Sequence, residues 1–248
     1  MNMKILQKNI QFKCINLDHR SDKRMWVDSH LSHHGIDFEY FQAKTGNDNT
    51  RFNEDQITQY IPGHLGCMLS HYELLSTYKD TRILGIFEDD VQLCDDFAKR
   101  MEYIENNFNL DWDMFFLSSF YHLNDDPQRW NETGDYELTD TKYIHRVYGS
   151  FCAHSYLVNP KSIKKILKLM NEHMHRSYAI DHLYILIQPF IKAYSFTPGI
   201  ATQIPSFSDT TNGNRDQSIF EHVVGKHFFI NQLENFDYDA YFNIINNN

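Results

Sequence analysis

One stretch constrains this chain more than any other: Arg82 to Val91 reads Arg-Ile-Leu-Gly-Ile-Phe-Glu-Asp-Asp-Val, an apolar run that ends abruptly in three carboxylates. Ile83, Leu84, Ile86, Phe87 and Val91 suit a strand covered on both faces, as in a sheet flanked by helices. Three adjacent acids cannot be buried unpaired, since desolvation and mutual repulsion would cost several kcal/mol. They therefore belong at the open carboxyl end of the strand, with a cation or hydrogen-bond donors nearby. Strand alternation predicts Glu88 and Asp90 on one side and Asp89 on the other. Two convergent carboxylates at a strand end make a divalent-metal clamp, or else a solvated acidic end that caps the next helix.

The 248 residues, 42% of them hydrophobic and 15% aromatic, supply ample core for one domain over 1–245, followed by an Asn-rich disordered tail at 246–248. A net charge of -10 opposes non-specific attraction to nucleic acid or an anionic membrane. The first residues hold only short apolar pieces broken by Lys, Gln and Asn. Neither a signal peptide nor a transmembrane segment is expected, and the protein reads as cytoplasmic. Cys14, Cys67, Cys94 and Cys152 are too widely spaced for a disulfide framework or a thiolate zinc site, and read as reduced core cysteines.

Along the chain, periodicity predicts a β-α-β opening: a strand over Gln11 to Leu17, a helix over Ser21 to His34 stopped by Gly35, and a strand carrying Ile36, Phe38 and Tyr40. Leu65, Met68, Leu69, Tyr72 and Leu75 fall on one face of a helix over Gly63 to Tyr78. A helix follows from Phe97 to Phe108, and strands are expected over Asp113 to Ser119, Tyr143 to Tyr148, His154 to Val158 and Phe190 to Phe196. Pro160 opens a lysine-rich helix, and Ser177 to Gln188 reads as a buried one. The segment 121–142 reads as a long polar loop where Trp130 either meets an acceptor or anchors the loop, and 197–214 reads as irregular.

Four stretches carry chemistry. Asn16, Asp18, Arg20, Lys23 and Arg24 stand at a strand end beside a helix start, suited to a nucleotide's base, ribose or phosphates or, on residue types alone, to a capped, solvated helix start. Gly63 and Gly66 open a helix that carries Ser70 and His71, and permit close approach of a ligand or tight packing of backbone. Glu88, Asp89 and Asp90 form the acidic end. Asp181, among Tyr178, Ala179, Ile180, Leu183, Tyr184 and Ile185, reads as a desolvated general base or as an ordinary helix aspartate.

The order and spacing of these stretches resemble family 25 glycosyltransferases, the group that contains lipopolysaccharide and procollagen galactosyltransferases. The likeness covers roughly Phe12 to Asp209. Ile15-Asn16-Leu17-Asp18-His19-Arg20-Ser21-Asp22-Lys23-Arg24 resembles the family's opening Ile-Asn-Leu-Asp-Arg-Arg-x-Asp-Arg-Arg, with His19 in place of a common Arg. The helix from Gly63 to His71 resembles Gly-x-x-Gly-Cys-x-Leu-Ser-His, and Ile86 to Val91 matches the family's acidic strand end. His154 to Val158, Ile180-Asp181 and the late Pro198, Gln203, Ser208 and Asp209 are similar to its later landmarks.

The resemblance implies an α/β, GT-A-like (Rossmann-like) mixed sheet flanked by helices. It also implies a metal-dependent, inverting transfer of galactose or glucose from UDP-galactose or UDP-glucose to a glycan or a hydroxylysine-type protein acceptor. In that scheme Asn16, Leu17, Arg20 and Arg24 hold uridine and ribose, with Ser70, His71, Asp89, Gln203, Ser208 and Asp209 completing the nucleotide-sugar site. Asp90 and Glu88 hold Mn2+ or Mg2+, with His154, Asp209 or His222 as a further ligand, and Asp181 is the catalytic base. The competing classes are a non-catalytic nucleotide-sugar or carbohydrate binder and a metal-dependent phosphohydrolase.

Overall fold

In a computed structural model of the chain, residues 8–49, 51–52, 60–118, 136–210 and 213–214 are described. Trp130, His222 and Asn246 to Asn248 lie outside these, as does most of the expected 121–142 loop.

Strand β1 (Ile10–Asn16), helix α1 (Ser21–His33) and strand β2 (Phe38–Gln42) form the expected β-α-β opening, with β1 and β2 parallel. Gly35 takes a left-handed φ of 68° just past α1, the conformation a helix stop of this kind needs. Helix α2 (Pro62–Thr77) starts with Pro62 in its first turn, where a missing N–H costs nothing. Strand β3 (Ile83–Glu88) then runs parallel to β1. After it come β4 (Val91–Leu93), α3 (Phe97–Asn107), β5 (Met114–Phe116), β6 (Tyr136–Leu138), β7 (Ile144–Val147) and β8 (Ser155–Val158). Helices α4 (Ile163–His173) and α5 (Ile180–Ile187) precede β9 (Ala193–Phe196) and the short strands β10 (Ala201–Gln203), β11 (Phe207–Ser208) and β12 (Gly213–Asn214).

Eight strands form one mixed sheet in the order β2-β1-β3-β8-β5-β9-β7-β6. Apolar alternation sends side chains to both faces. Leu84 and Ile86 of β3 join a core with Leu65, Met68 and Leu75 of α2 and with residues of α4 and α5. Phe87, with Phe12 and Cys14 of β1, joins the opposite core with Val27 and Leu31 of α1 and Phe97 and Met101 of α3. This is the α/β, GT-A-like class that the resemblance implies. None of the four cysteines is in a disulfide. No helix among the described residues is long and apolar enough to cross a membrane.

Three local expectations change. The central strand does not run to Val91: β3 stops at Glu88, residues 89–90 make a turn, and β4 pairs antiparallel with β10. The register fits the stop, because Glu88 is level with Ile15 and β1 itself ends at Asn16, so a strand carried on through Asp90 would run past its ladder partner. The expected polar loop at 121–142 contains β6, and the expected irregular segment at 197–214 contains β10 to β12. Those strands are two or three residues long, too short to show a side-chain period, and β10 is fixed by pairing with the distant β4.

Candidate active site

The carboxyl ends of β1 and β3 open into a cavity of about 290 Å3. It is walled by the residues after β2, the first turns of α2 and the segment from Ser208 to Thr210. Two glycines let these walls close. A Cβ on Gly66 would stand 2.6 Å from the Lys44 carbonyl oxygen, and one on Gly63 would strike the Asp209 carbonyl. Of the two readings of these glycines, close backbone packing is what the geometry uses.

The acids are collected by donors from three separate parts of the chain. Lys23, one turn into α1 and 6% exposed, sends its ammonium to Asp89 Oδ1 at 2.8 Å and to Asp90 Oδ2 at 3.1 Å. Asn16 Nδ2 donates to Asp89 Oδ2 at 2.8 Å. Gln203, at the end of β10, donates through one nitrogen to Glu88 Oε2 at 3.1 Å and to Asp90 Oδ1 at 2.9 Å. The expected division, Glu88 and Asp90 against Asp89, is therefore only half present. Gln203 does join Glu88 to Asp90, but Lys23 joins Asp90 to Asp89, because residues 89–90 lie in a turn and strand alternation no longer applies.

Charge balance at this edge is tight. Burial pushes the Asp89 carboxyl upward, Lys23 pulls it down and Asp90 pushes it up again, and the net shift is upward. Burial also works against the Lys23 ammonium, but Asp90 and Asp89 outweigh it and raise its pKa.

A second network reaches the acids from α2. His71 is fully buried, with Nε2 3.2 Å from Glu88 Oε1 and Nδ1 2.7 Å from the Tyr156 hydroxyl, which lies 2.6 Å from the Tyr184 hydroxyl. Cys67, one turn before His71, places Sγ 3.7 Å from the same Glu88 oxygen. His154 approaches from the start of β8. It is 5% exposed, it feels the charges of Glu88, Asp90 and Asp181, and its Nε2 has no partner among the described residues. Burial lowers its pKa against the pull of those acids.

The cavity brings together Asn16, Leu17, Ser70, His71, Glu88, Asp89, Asp90, Ser208 and Asp209, nine of the residues singled out by sequence. Gln203 supports two of the acids, as described. Ser70 accepts the Lys44 amide and donates to the Gly66 carbonyl, both at 2.7 Å, so it fastens the wall. Arg20 and Arg24 are not among the lining residues. Arg20 pairs with Asp22 and Asp209, which together raise its pKa, and Arg24 pairs with Asp18, donates to Asn16 and stacks over Tyr40.

Asp181 also stands outside the lining. It lies in the first turn of α5, and its Oδ1 accepts the amides of Cys152 at 3.0 Å and Ala153 at 2.7 Å. Of the two readings of Asp181, the geometry has the helix aspartate bonded to a neighbouring loop: two backbone donors hold it. Cys152 takes a φ of 95° there, a strained conformation for a residue with a side chain.

Sequence reasoning passed over Lys23 as a ligand of the acids, although three carboxylates at one strand end require a cation. It also passed over Cys67, which the four-residue spacing to His71 places on the same helical face.

The chain is 25% identical over 175 residues to procollagen galactosyltransferase 1-A of Xenopus laevis, a match covering 62% of this chain and 27% of that protein. It is 23% identical over 176 residues to a glycosyltransferase 25 family member of Aedes aegypti, again over 62% of this chain and 27% of the relative. The chain thus matches about a quarter of the length of these curated relatives. Among solved structures it is similar to the galactosyltransferase LgtC in complex with donor and acceptor sugar analogues, with 12% identity, a TM-score of 0.48, and coverage of 90% of this chain and 98% of that one. Residues 9–184 match glycosyltransferase family 25 (LPS biosynthesis protein), and the chain belongs to that family.

Proposed function

We propose that the protein transfers a hexose, galactose or glucose, from a UDP-sugar to a hydroxyl of a glycan or a hydroxylysine-type protein acceptor, with inversion at the anomeric carbon. The observation that carries this reading is the meeting of Asn16, Lys23, Glu88, Asp89 and Asp90 in one cavity at the carboxyl ends of two parallel strands. Open α/β sheets place nucleotide ligands at such ends. Family membership and the procollagen galactosyltransferase relatives support the transferase class.

Mn2+ or Mg2+ fits the residues present on two observations. One Gln203 nitrogen bridges Glu88 and Asp90, so an oxygen of each already converges on one positively polarised point. His154 Nε2 is a buried imidazole nitrogen without a partner among the described residues, and it feels both carboxylates. Glu88 and Asp90 would hold the ion through their oxygens. A bound divalent cation would offset the charge that develops on departing UDP.

The chain's own residues do the rest. Asn16 and Leu17 form the floor against which the nucleoside rests, Lys23 fixes the acid pair, and Ser208 and Asp209 close the far wall. Asp181 takes the proton of the acceptor hydroxyl as that oxygen attacks C1 from the face opposite UDP. Its Oδ1 is oriented by two amides.

UDP release measured across UDP-glucose, UDP-galactose and their N-acetyl forms, with and without Mn2+ and with glycan and hydroxylysine acceptors, tests the reading. Acceptor-dependent release with one hexose donor is the expected result. UDP-sugar binding without release across the acceptor panel would make the protein a binder instead. Asp181→Asn keeps an oxygen for the two amides but removes the base. It should lower turnover by about a hundred- to ten-thousandfold while leaving UDP affinity in place. Asp90→Ala should abolish Mn2+-dependent UDP binding, and unchanged calorimetry would end the metal assignment.

A further inference from the structure

We infer that Cys67, His71 and Glu88 form a second cation site, selective for a thiophilic divalent ion such as Zn2+ or Co2+. Their ligand atoms lie within 4.8 Å of one another, and all three residues line the cavity. The four-residue spacing on α2 puts the thiol and the imidazole on one face, opposite the last residue of β3.

The separations match a coordination sphere. With metal distances of about 2.3 Å to sulfur and about 2.0–2.2 Å to nitrogen and oxygen, tetrahedral angles require about 3.6 Å between sulfur and oxygen and about 3.4 Å between nitrogen and oxygen. The structure has 3.7 Å from Cys67 Sγ to Glu88 Oε1 and 3.2 Å from His71 Nε2 to the same oxygen. The mixture of sulfur, imidazole and a single carboxylate favours Zn2+ or Co2+, whereas Mg2+ and Mn2+ prefer an all-oxygen setting.

A second, independent observation points the same way. A ligating histidine normally has its other nitrogen tied to a fixed partner, and His71 Nδ1 is tied to Tyr156, itself tied to Tyr184. Either tyrosine can be the donor in their shared bond, so the pair accepts either tautomer of His71. When the ion binds, Cys67 releases its S–H proton to solvent and the thiolate becomes a ligand. The imidazole then carries its hydrogen on Nδ1, donated to Tyr156, and turns Nε2 to the metal. The fourth position opens to the cavity.

Occupancy would withdraw Glu88 from the carboxylate cluster, so Zn2+ should oppose transfer. That consequence rests on the proposed function, whereas the binding itself does not.

Titration of the full chain with Co2+, without nucleotide, tests the site. The expected result is a near-ultraviolet thiolate-to-cobalt charge-transfer band that saturates at one ion per chain, with one proton released per ion in weak buffer. Cys67→Ser should remove the band, and Tyr156→Phe should keep it while weakening Co2+ affinity about ten- to hundredfold. Melting curves establish that both variants fold. Should Cys67→Ser fail to fold, Zn2+ protection of Cys67 against iodoacetamide in the unaltered chain, read by mass spectrometry, decides the matter. The inference fails if saturating Co2+ gives no thiolate band, if a folded Cys67→Ser chain keeps the band, or if Zn2+ leaves Cys67 alkylation unchanged. UDP–Mn2+ calorimetry on Cys67→Ser separates this failure from failure of the transferase reading.

Discussion

The two ends of the central sheet each carry buried acid, and they treat it in opposite ways. At the carboxyl end of β3, Asp89 and Asp90 share one ammonium from Lys23, and the net effect on Asp89 is an upward pKa shift. At the amino end of β5, Asp113 stands alone. Its Oδ2 accepts from Lys165 Nζ and from the Lys192 amide, each at 2.7 Å. Burial pushes Asp113 upward too, but Lys165, Ser162 and the Lys192 amide outweigh it and hold the carboxyl below its ordinary value. One edge is satisfied by local donors. The other holds more negative charge than its resident cation neutralises, which is the condition for recruiting a further cation or a ligand rich in donors.

Lys23 gives the largest expected effect. Lys23→Met keeps most of the side-chain volume but leaves two buried carboxylates facing each other. Removing one partner of a buried ion pair costs about 3–5 kcal/mol. Urea unfolding should show the unfolding free energy lowered by that amount, as a lower midpoint at unchanged slope. The contrast between the edges breaks if the variant is as stable as the parent chain. Adding Mn2+ sharpens the test, because an ion that substitutes for the ammonium should restore part of the loss.

Acid should weaken both halves of the sheet, through His154 beside the cavity and through His145 away from it. His145, in β7, is buried, and burial pushes its pKa down to about 4 from an ordinary 6.5. A depressed value means that its contribution is present above pH 6.5 and is lost as pH falls toward 4. The loss is on the order of 3 kcal/mol. Asp113, also depressed, loses its contribution on falling through its own lower value. Asp89 has the opposite sign: its raised pKa means that its contribution is complete at low pH and lost as pH rises through the folded value. Melting temperature followed from pH 7 to pH 4 should therefore fall in the parent chain and fall less in His145→Phe. Equal slopes would place the acid-sensitive group elsewhere.

This contrast also explains which parts of the molecule could be read from sequence. The run from Ile83 to Phe87 and the α2 face of Leu65, Met68, Leu69, Tyr72 and Leu75 were legible, because burial imposes a period on neighbouring residues. The acidic strand end was legible because three consecutive carboxylates have few places to go. Lys23 was not, since which of several nearby cations reaches Asp89 and Asp90 depends on how α1 crosses β1 and β3. Strand alternation misassigned Asp89 because the chain turns after Glu88. The hold on Asp181 was invisible for a similar reason: it depends on the left-handed Cys152, and no short-range pattern announces a strained backbone. Asp113 carried no signal, since its partners lie 52 and 79 residues away.

The smallest expected effect is the most discriminating, because it repeats the Lys23 substitution at the other edge. Lys165→Met removes an ammonium 2.7 Å from Asp113, slightly closer than Lys23 is to Asp89. Distance alone would make the two variants equal. The Lys165 side chain is 47% exposed against 7% for Lys23, so water already screens its pair and can solvate what is left when it goes. Asp113 also keeps the Lys192 amide, whereas Asp90 would keep the Gln203 side chain as its side-chain donor among the described residues. The loss should be about 0–1 kcal/mol, as for ordinary exposed pairs, and should shrink further in added salt. A double-mutant cycle with Asp113→Asn measures the coupling directly. A coupling as large as that between Lys23 and the Asp89–Asp90 pair would mean that proximity to charge, rather than desolvation and crowding of like charge, distinguishes the two edges.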